Sequence, residues 1–296
     1  MPMLKMSEMG LRLKFNLVLA LVFLGGLAVA GFSSYELLHR NAKAETLRNA
    51  RLLMETALAI RGYTVTQVGP HLQSDHIFLP QAVPAFAATR TLGELRKKYP
   101  DYGYKEAVLN PTNPTNRATD WETDVVATFR ASDQMTELVG ERDTPTGRSL
   151  YVARPIKVSD AACLACHNTP AQAPKALVAL YGSANGFGWK MNEIIGAQVV
   201  SVPTDLPVKS ANRAFITFMS SLIAIFAAVF IALNVMLNAL IIRPIRRMAA
   251  AADAVSTGDF DVPEVAAKGK DEISVLGASF NRMRRSLQKA MKMLED

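Results

Sequence analysis

The sequence predicts an α+β domain held between two membrane-spanning helices and followed by a short helical module. Three observations predict it. Residues 15–35 and 214–242 contain no Asp, Glu, Lys or Arg, and a helix needs about 20 predominantly apolar residues to cross the hydrocarbon core. The segment between them mixes helical spacing with β-branched runs. The segment after the second span carries two apolar stripes at helical spacing. The expected organisation is a tail (1–14), a first span (15–35), an exported domain (36–213), a second span (214–242) and a C-terminal module (243–296).

The chain has 296 residues, 50% hydrophobic and 20% charged, which excludes a disordered or low-complexity protein. Its net charge of +7 is not concentrated: residues 1–14 hold three basic and one acidic residue, 36–213 hold 20 and 17, and 243–296 hold 10 and 8. Without a basic stripe there is no electrostatic footprint for nucleic acid. Position matters more. Lys5, Arg12 and Lys14 precede the first span, and Arg243, Arg246 and Arg247 follow the second. Basic flanks stay cytoplasmic, so both termini are expected inside the cell at the inner membrane. The domain between the spans is expected in the periplasm. Ala28-Val29-Ala30 also has the small-residue pattern of a signal-peptidase site, behind an apolar stretch longer than a signal peptide's usual one. Either reading exports the middle segment.

In the exported segment, Leu37, Leu38, Ala42, Leu47, Leu52, Leu53, Ala57 and Ile60 recur at roughly helical spacing, predicting a helix over 36–61 that continues the first span and breaks at Gly62 and the Pro70 region. A second helix is expected after Pro84, carrying Phe86, Ala87, Leu92 and Leu95, and another over 121–130. The stretch Asn110-Pro111-Thr112-Asn113-Pro114-Thr115-Asn116 is dense in turn formers and predicts a structured loop. Residues 137–140 and 149–153 flank Asp143-Thr144-Pro145-Thr146-Gly147, a hairpin signal. Residues 177–181 and 194–202 are further apolar runs expected in an antiparallel sheet.

Both cysteines of the chain, and one of its four histidines, fall in Cys163-Leu164-Ala165-Cys166-His167. This spacing is the c-type haem attachment motif. Two thiols two residues apart can each add to one vinyl group of a single haem, and the adjacent His ligates the iron. The cofactor expected is one covalent haem c, on Cys163 and Cys166, with His167 as proximal iron ligand. Attachment outside the cytoplasm agrees with the topology read from the flanking charges. A redox disulfide needs only Cys-x-x-Cys. A zinc site needs about four ligands, and the motif offers three. For the sixth iron position, His71 and His76 are the candidates by chemistry, with Met135 behind them. His39 lies close to the first span.

After the second span, Pro244 is placed to kink the emerging helix. Ile245, Met248, Ala252 and Val255 follow coiled-coil spacing. Gly258-Asp259-Phe260 ends that helix, Val262-Pro263 runs extended, and Asp271-Glu272-Ile273 opens a second helix. Its stripe is Ile273, Leu276, Phe280, Met283 and Leu287, with Asn281 and Arg282 outside it. Two short amphipathic helices cannot bury both stripes alone, so a four-helix bundle from two chains is expected. This pattern, over 241–294, resembles the HAMP signalling module. The ten residues Leu287–Asp296 are too few for a nucleotide-binding or phospho-acceptor segment. The expectation is a transmitter without its own output enzyme, acting on a separate histidine kinase or chemoreceptor-type protein.

Several stretches of the exported segment together resemble a family of exported c-type haem domains with a PAS-like fold, found in bacterial and cyanobacterial sensors. They are Arg61-Gly62-Tyr63-Thr64, Val83-Pro84-Ala85-Phe86, the Asn110 loop, Trp121-Glu122, Ala153-Arg154-Pro155-Ile156, the Cys163–His167 motif, Tyr181-Gly182-Ser183-Ala184-Asn185-Gly186-Phe187-Gly188-Trp189-Lys190, and the strand from Gly196. The resemblance implies a PAS-like sheet, a haem on Cys163 and Cys166, and His167 as proximal ligand. It also implies sensing of redox state or of a small ligand. Some members use a Cys as second axial ligand, and this chain has no third Cys. The function expected is membrane signal transduction by a homodimer, through haem redox state or binding of NO, CO or O2. The alternatives are a membrane-anchored cytochrome for electron transfer and, further back, a haem enzyme such as a peroxidase.

Overall fold

A computed structural model describes residues 9–72, 78–132, 134–266 and 269–295. The chain divides into two compact units, Tyr35–Ala214 and the paired segments Met1–Ser34 and Phe215–Asp296. Helix α1 (Leu11–Tyr63) runs without interruption from the first apolar stretch into the Tyr35–Ala214 unit.

That unit is α+β. Its four strands are β1 (Gly103–Val108), β2 (Leu138–Thr144), β3 (Gly147–Lys157) and β4 (Ile194–Pro203). They form one antiparallel sheet in the order β1-β4-β3-β2. Side chains alternate between faces along each strand, and each face finds its own helix. Ala107, Ala153, Ala197 and Val199 pack on Val125, Val126 and Phe129 of α4 (Asp120–Ala131). Leu150, Val152, Val200 and Val202 pack on Ala50 and Met54 of α1. β4 is central and covered on both sides, which explains its nearly unbroken apolar sequence. The other helices of the unit are α2 (Gly69–Leu72), α3 (Pro84–Lys98), α5 (Leu164–His167) and α6 (Lys175–Tyr181).

On the α1 side, a polar row crosses the sheet between two apolar ones. The register sets Glu106 of β1 beside Gln198 of β4, and Gln198 beside Arg154 of β3. Helix α1 answers this row with charge. Arg61 pairs with Glu106 at 2.5 Å, Glu55 with Arg154 at 2.8 Å, and Arg51 with Glu137 at 2.8 Å. The apolar packing therefore seats α1 and the ion pairs fix its position along the strands.

Glu137 takes hydrogen bonds from Arg51 on Oε1 and from Arg154 on Oε2. Its burial opposes ionisation, but these two guanidinium groups outweigh it and hold the carboxyl below the usual value. A depressed carboxyl contributes stability that is complete above its unfolded pKa of about 4.3. That stability is lost as pH falls through the lower native pKa. Glu137→Gln is expected to flatten the fall in stability below about pH 5. Urea midpoints read by tryptophan fluorescence test this, because both tryptophans, Trp121 and Trp189, lie in this unit. Parallel pH curves for the two proteins would refute it.

Four differences from the sequence reading have physical causes. Gly62 does not break α1: the helix passes it, ends at Tyr63, continues as a π-helical turn over Thr64–Val68 and closes in α2. A helical glycine costs only about 1 kcal/mol, and the Thr64 hydroxyl donates to Ile60 O at 2.7 Å. Residues 177–181 are not a strand but lie in α6. Pro174 stands at its N-cap, Ala and Leu favour helix, and Gly182 at φ +81° ends it. β1 was not anticipated, because Lys105 and Glu106 interrupt its apolar pattern. Each is paired, Lys105 with Glu122 at 2.6 Å and Glu106 with Arg61. Fourth, Asn281 is buried rather than lying outside the packed face of its helix.

In the second unit, two helices are long and apolar enough to cross a membrane, with mean hydropathy of 2.3 and 2.5 in their most apolar windows. They are the inner part of α1 and α7 (Asp205–Leu237). Phe23 stacks on Phe226 at 4.7 Å. A π-helical turn over Asn238–Ile242 joins α7 to α8 (Arg243–Ser256). Pro244 has no N–H for Leu240 and its ring crowds that carbonyl, which accounts for the wider turn. Helix α8 ends at Gly258, whose φ of +93° is the left-handed cap that lets Asp259 N donate to Ala254 O at 3.0 Å. The connector is clipped to α9 (Glu272–Glu295) by Asn281, which donates to Val265 O at 2.8 Å and accepts from Val265 N at 3.1 Å. Arg284 donates to Val262 O. Leu276, Met283 and Leu287 are exposed along α9.

Candidate functional site

The Cys163–His167 segment is built as a helical turn. Asp160 Oδ1 accepts from Ala162 N at 2.8 Å, starting a 3₁₀ turn over Ala161–Cys163 that runs directly into α5. In such a turn residues three and four apart share a face. Cys163, Cys166 and His167 thereby point the same way. Both thiols are partly buried and unbridged. Burial, and then the neighbouring Cys163, push the Cys166 thiol above its ordinary pKa, so it stays protonated at neutral pH.

Cys163 and Leu164 pack with Val108, Val158, Ile195, Ile156 and Trp189. Val108 and Ile156 face the same side of the sheet as Glu106 and Arg154, one step further along the strands. The motif thus sits beside the polar row that grips α1, with Arg61 within electrostatic reach of Cys163.

Two loops hold the His167 ring. Its Nδ1 lies 2.7 Å from Gly186 O and 3.4 Å from Thr112 Oγ1. The ring stacks on Trp189 at 3.7 Å with 13° between planes. Gly188 N donates to Asn168 O and Trp189 N to His167 O, so the loop wraps the end of α5. Gly186 N contacts Asn110 Oδ1, and Arg117 donates to Asn185 Oδ1 at 3.2 Å, tying the loop to the Asn110 segment. The carbonyl of Gly186 fixes the proton on Nδ1, which leaves the Nε2 lone pair free. Burial lowers the His167 pKa, against the opposing pull of the Gly186 bond, so the ring is neutral at pH 7. A neutral imidazole with its second nitrogen tied to a carbonyl is the form that binds metal.

Gly186 has φ +83°, and a Cβ there would land on Thr112 Oγ1 and within 2.7 Å of the Thr112 backbone. Gly186→Ala is expected to cost about 1–3 kcal/mol in backbone strain and to release the Nδ1 bond. Imidazole ¹⁵N shifts of His167 report the tautomer. A His167 that keeps its proton on Nδ1 in the variant would refute this.

The other sequence candidates fall elsewhere. His71 is exposed on α2, and nothing places it at His167. His76 lies outside the described residues. Met135 packs on the α4 side of the sheet, as a core residue opposite the motif. His39 is bonded to Tyr35 O and stacked on the Tyr35 ring. Among the described residues no three His, Cys, Asp or Glu side chains converge to hold a metal ion. Thr112, Gly186 and Trp189 belong to the site. From sequence, the Asn110–Arg117 loop and Gly186–Trp189 stood out as stretches that could shape a haem pocket, but loop architecture explained them equally well, and only the fold brings them to His167.

A family model described as Tll0287-like matches residues 39–203, and a HAMP domain model matches residues 232–289. Among solved structures, the crystal structure of the cyanobacterial heme-protein Tll0287 is similar at 18% identity. That match covers 54% of this chain and 95% of that one, with a TM-score of 0.43. No match is found among curated proteins.

Proposed function

The chain belongs to the Tll0287-like family, and on that premise we propose that it is a membrane signal transducer whose exported domain senses through one covalent haem c and whose HAMP domain relays the state. The observation that carries this reading is the preparation of His167. Its Nδ1 is tied to Gly186 O, its ring is held flat on Trp189, and Nε2 is left free beside two unbridged thiols.

The residues present fit such a group. Cys163 and Cys166 supply the thiols for two thioethers, and His167 Nε2 supplies the proximal ligand. The apolar wall of Val108, Ile156 and Trp189 covers one side of the attachment segment. When bound, the haem supplies an iron that takes up one electron or a diatomic ligand such as NO, CO or O2. The role of the protein is to hold His167 in one orientation and to carry its displacement onward. The polar row beside the motif grips α1 through Arg61, Glu55 and Arg51, and α1 runs on as an apolar span. The antiparallel order β1-β4-β3-β2, with helix between β1 and β2, supports a PAS-like fold for the sensor. The basic flanks of both spans support a periplasmic sensor and a cytoplasmic HAMP domain. The exposed Leu276, Met283 and Leu287 support a homodimeric bundle that signals to a separate output protein.

The test uses the full chain made with haem-maturation machinery. Single cysteines are placed along the α9 stripe, and crosslinking is compared in oxidised, reduced and NO-treated membranes. A pattern that changes with haem state supports sensing. Covalent haem with one fixed crosslinking pattern would overturn it and favour a membrane-anchored cytochrome for electron transfer.

A further inference from the structure

The three arginines at the contact between α1 and the sheet are not used alike. Arg154 donates from Nε and Nη2 to Glu137 and from Nη1 to Glu55. Arg51 directs Nε and Nη2 to Glu137. Arg61 gives only Nη1, and that to Glu106. Its Nε and Nη2 make no hydrogen bond among the described residues, and its side chain stays 27% exposed. The Glu106 pair alone does not call for these surplus donors. The other buried carboxylate beside the sheet, Glu122, is neutralised by a lysine, Lys105, at 2.6 Å.

Arg61 is also placed next to the attachment segment. Glu106, which holds it, stands two residues from Val108 on the same face of β1, a step of about 7 Å. Val108 belongs to the cluster on which Cys163 and Leu164 pack. Arg61 lies within electrostatic reach of Cys163. A half-buried cation with unused donors, set beside a point of covalent attachment, suits an anion carried by the attached group. A haem bound through its vinyl groups keeps two propionates, which are its only carboxylates. Guanidinium and carboxylate match as planar forks joined by parallel N–H···O bonds.

We propose that Arg61 is a haem-binding residue, its free Nε and Nη2 donors taking one propionate carboxylate while Nη1 keeps Glu106. One side chain of α1 then holds the sheet through Glu106 and the cofactor through a propionate. A haem that shifts on His167 thereby acts on α1 without passing through the sheet. This role of Arg61 rests on the covalent haem reading, and the test separates the two.

The experiment uses the full chain made with haem-maturation machinery, haem-stained on a denaturing gel and then examined by resonance Raman spectroscopy. The propionate bending band reports hydrogen bonds to the haem carboxylates and falls in frequency when a donor is lost. It is expected to shift down in Arg61→Met/Glu106→Leu, an apolar pair that spares the fold. Arg61→Lys keeps one donor and is expected to shift it less. Glu106→Gln leaves Arg61 in place and is expected to leave the band unmoved. Urea unfolding read by tryptophan fluorescence checks that each variant folds. Stained chains with the same band in all four proteins would overturn the role of Arg61 and leave covalent haem standing. An equal downward shift in Glu106→Gln would also overturn it, because that marks a general loosening around the haem. No stain in the unaltered chain would overturn the covalent haem and the role of Arg61 together.

Discussion

The full chain carrying Cys163→Ala and Cys166→Ala is expected to leave a haem-stained denaturing gel blank, where the unaltered chain, made with the same maturation machinery, is expected to give a band. The expected effect is complete, because thioether bonds survive denaturation and axial ligation does not. Its basis is local. Asp160 starts the turn, residues three and four apart share its face, and both thiols stand free and partly buried beside the His167 ring. The double variant removes no large core side chain, so the fold itself is spared. Equal staining of both proteins would sink the covalent reading. A blank for both, with thiols that react only after reductant, would instead make Cys163 and Cys166 a disulfide.

Removing the carboxylate of Glu106 is the most destabilising single change expected in the Tyr35–Ala214 unit. Glu106 is 3% exposed. Arg61 Nη1 donates to both of its oxygens, at 2.5 and 2.6 Å, and Tyr104 OH donates to Oε1 at 2.8 Å. Burial, and then the charge of Glu106, push the Tyr104 phenol far above its ordinary pKa, so it remains a donor. Burial disfavours the Arg61 charge, yet Glu106 more than offsets it and raises its pKa. Glu106→Ala leaves a half-buried guanidinium and a partly buried phenol without their acceptor. Breaking a buried pair costs about 3–5 kcal/mol. Arg61 keeps some contact with water, which places the effect near the lower end, about 3 kcal/mol.

Urea unfolding followed by tryptophan fluorescence measures the loss. The double variant Arg61→Met/Glu106→Leu is expected to recover most of it, because an apolar pair of similar volume carries no desolvation cost. A Glu106→Ala protein within about 0.5 kcal/mol of the unaltered one would refute the account. The result bears on signalling as well as stability. The Arg61–Glu106 pair is the ion pair between α1 and the sheet that lies nearest the attachment motif, so a variant that folds but uncouples would lose haem-dependent change in the α9 crosslinks.

Much of this protein was legible as sequence where one interaction dominates. The two charge-free stretches gave the apolar helices. Five consecutive residues gave the candidate attachment site. The Asp-Glu-Ile start of α9 and the glycine after α8 placed the C-terminal helices to within a few residues, because caps and left-handed turns are local demands of the backbone. The hairpin of β2 and β3 followed from its turn chemistry. Residues 177–181 were misassigned because a five-residue apolar run carries no period that separates strand from buried helix.

What needed the fold were partnerships across the chain. β1 was hidden because Lys105 and Glu106 read as solvent-facing, and only Glu122 and Arg61, brought in by α4 and α1, make their burial tolerable. Asn281 read as outside the packed stripe, yet it holds both backbone groups of Val265, a contact no helical periodicity encodes. By itself the sequence determined most of the elements and where the two thiols and the imidazole stand along the chain, since those depend on neighbours a few residues away. Only the tertiary structure decided which proton His167 carries and which way its ring faces. Those depend on the Gly186 carbonyl and the Trp189 ring, 19 and 22 residues distant in sequence and placed within 3.7 Å by the fold.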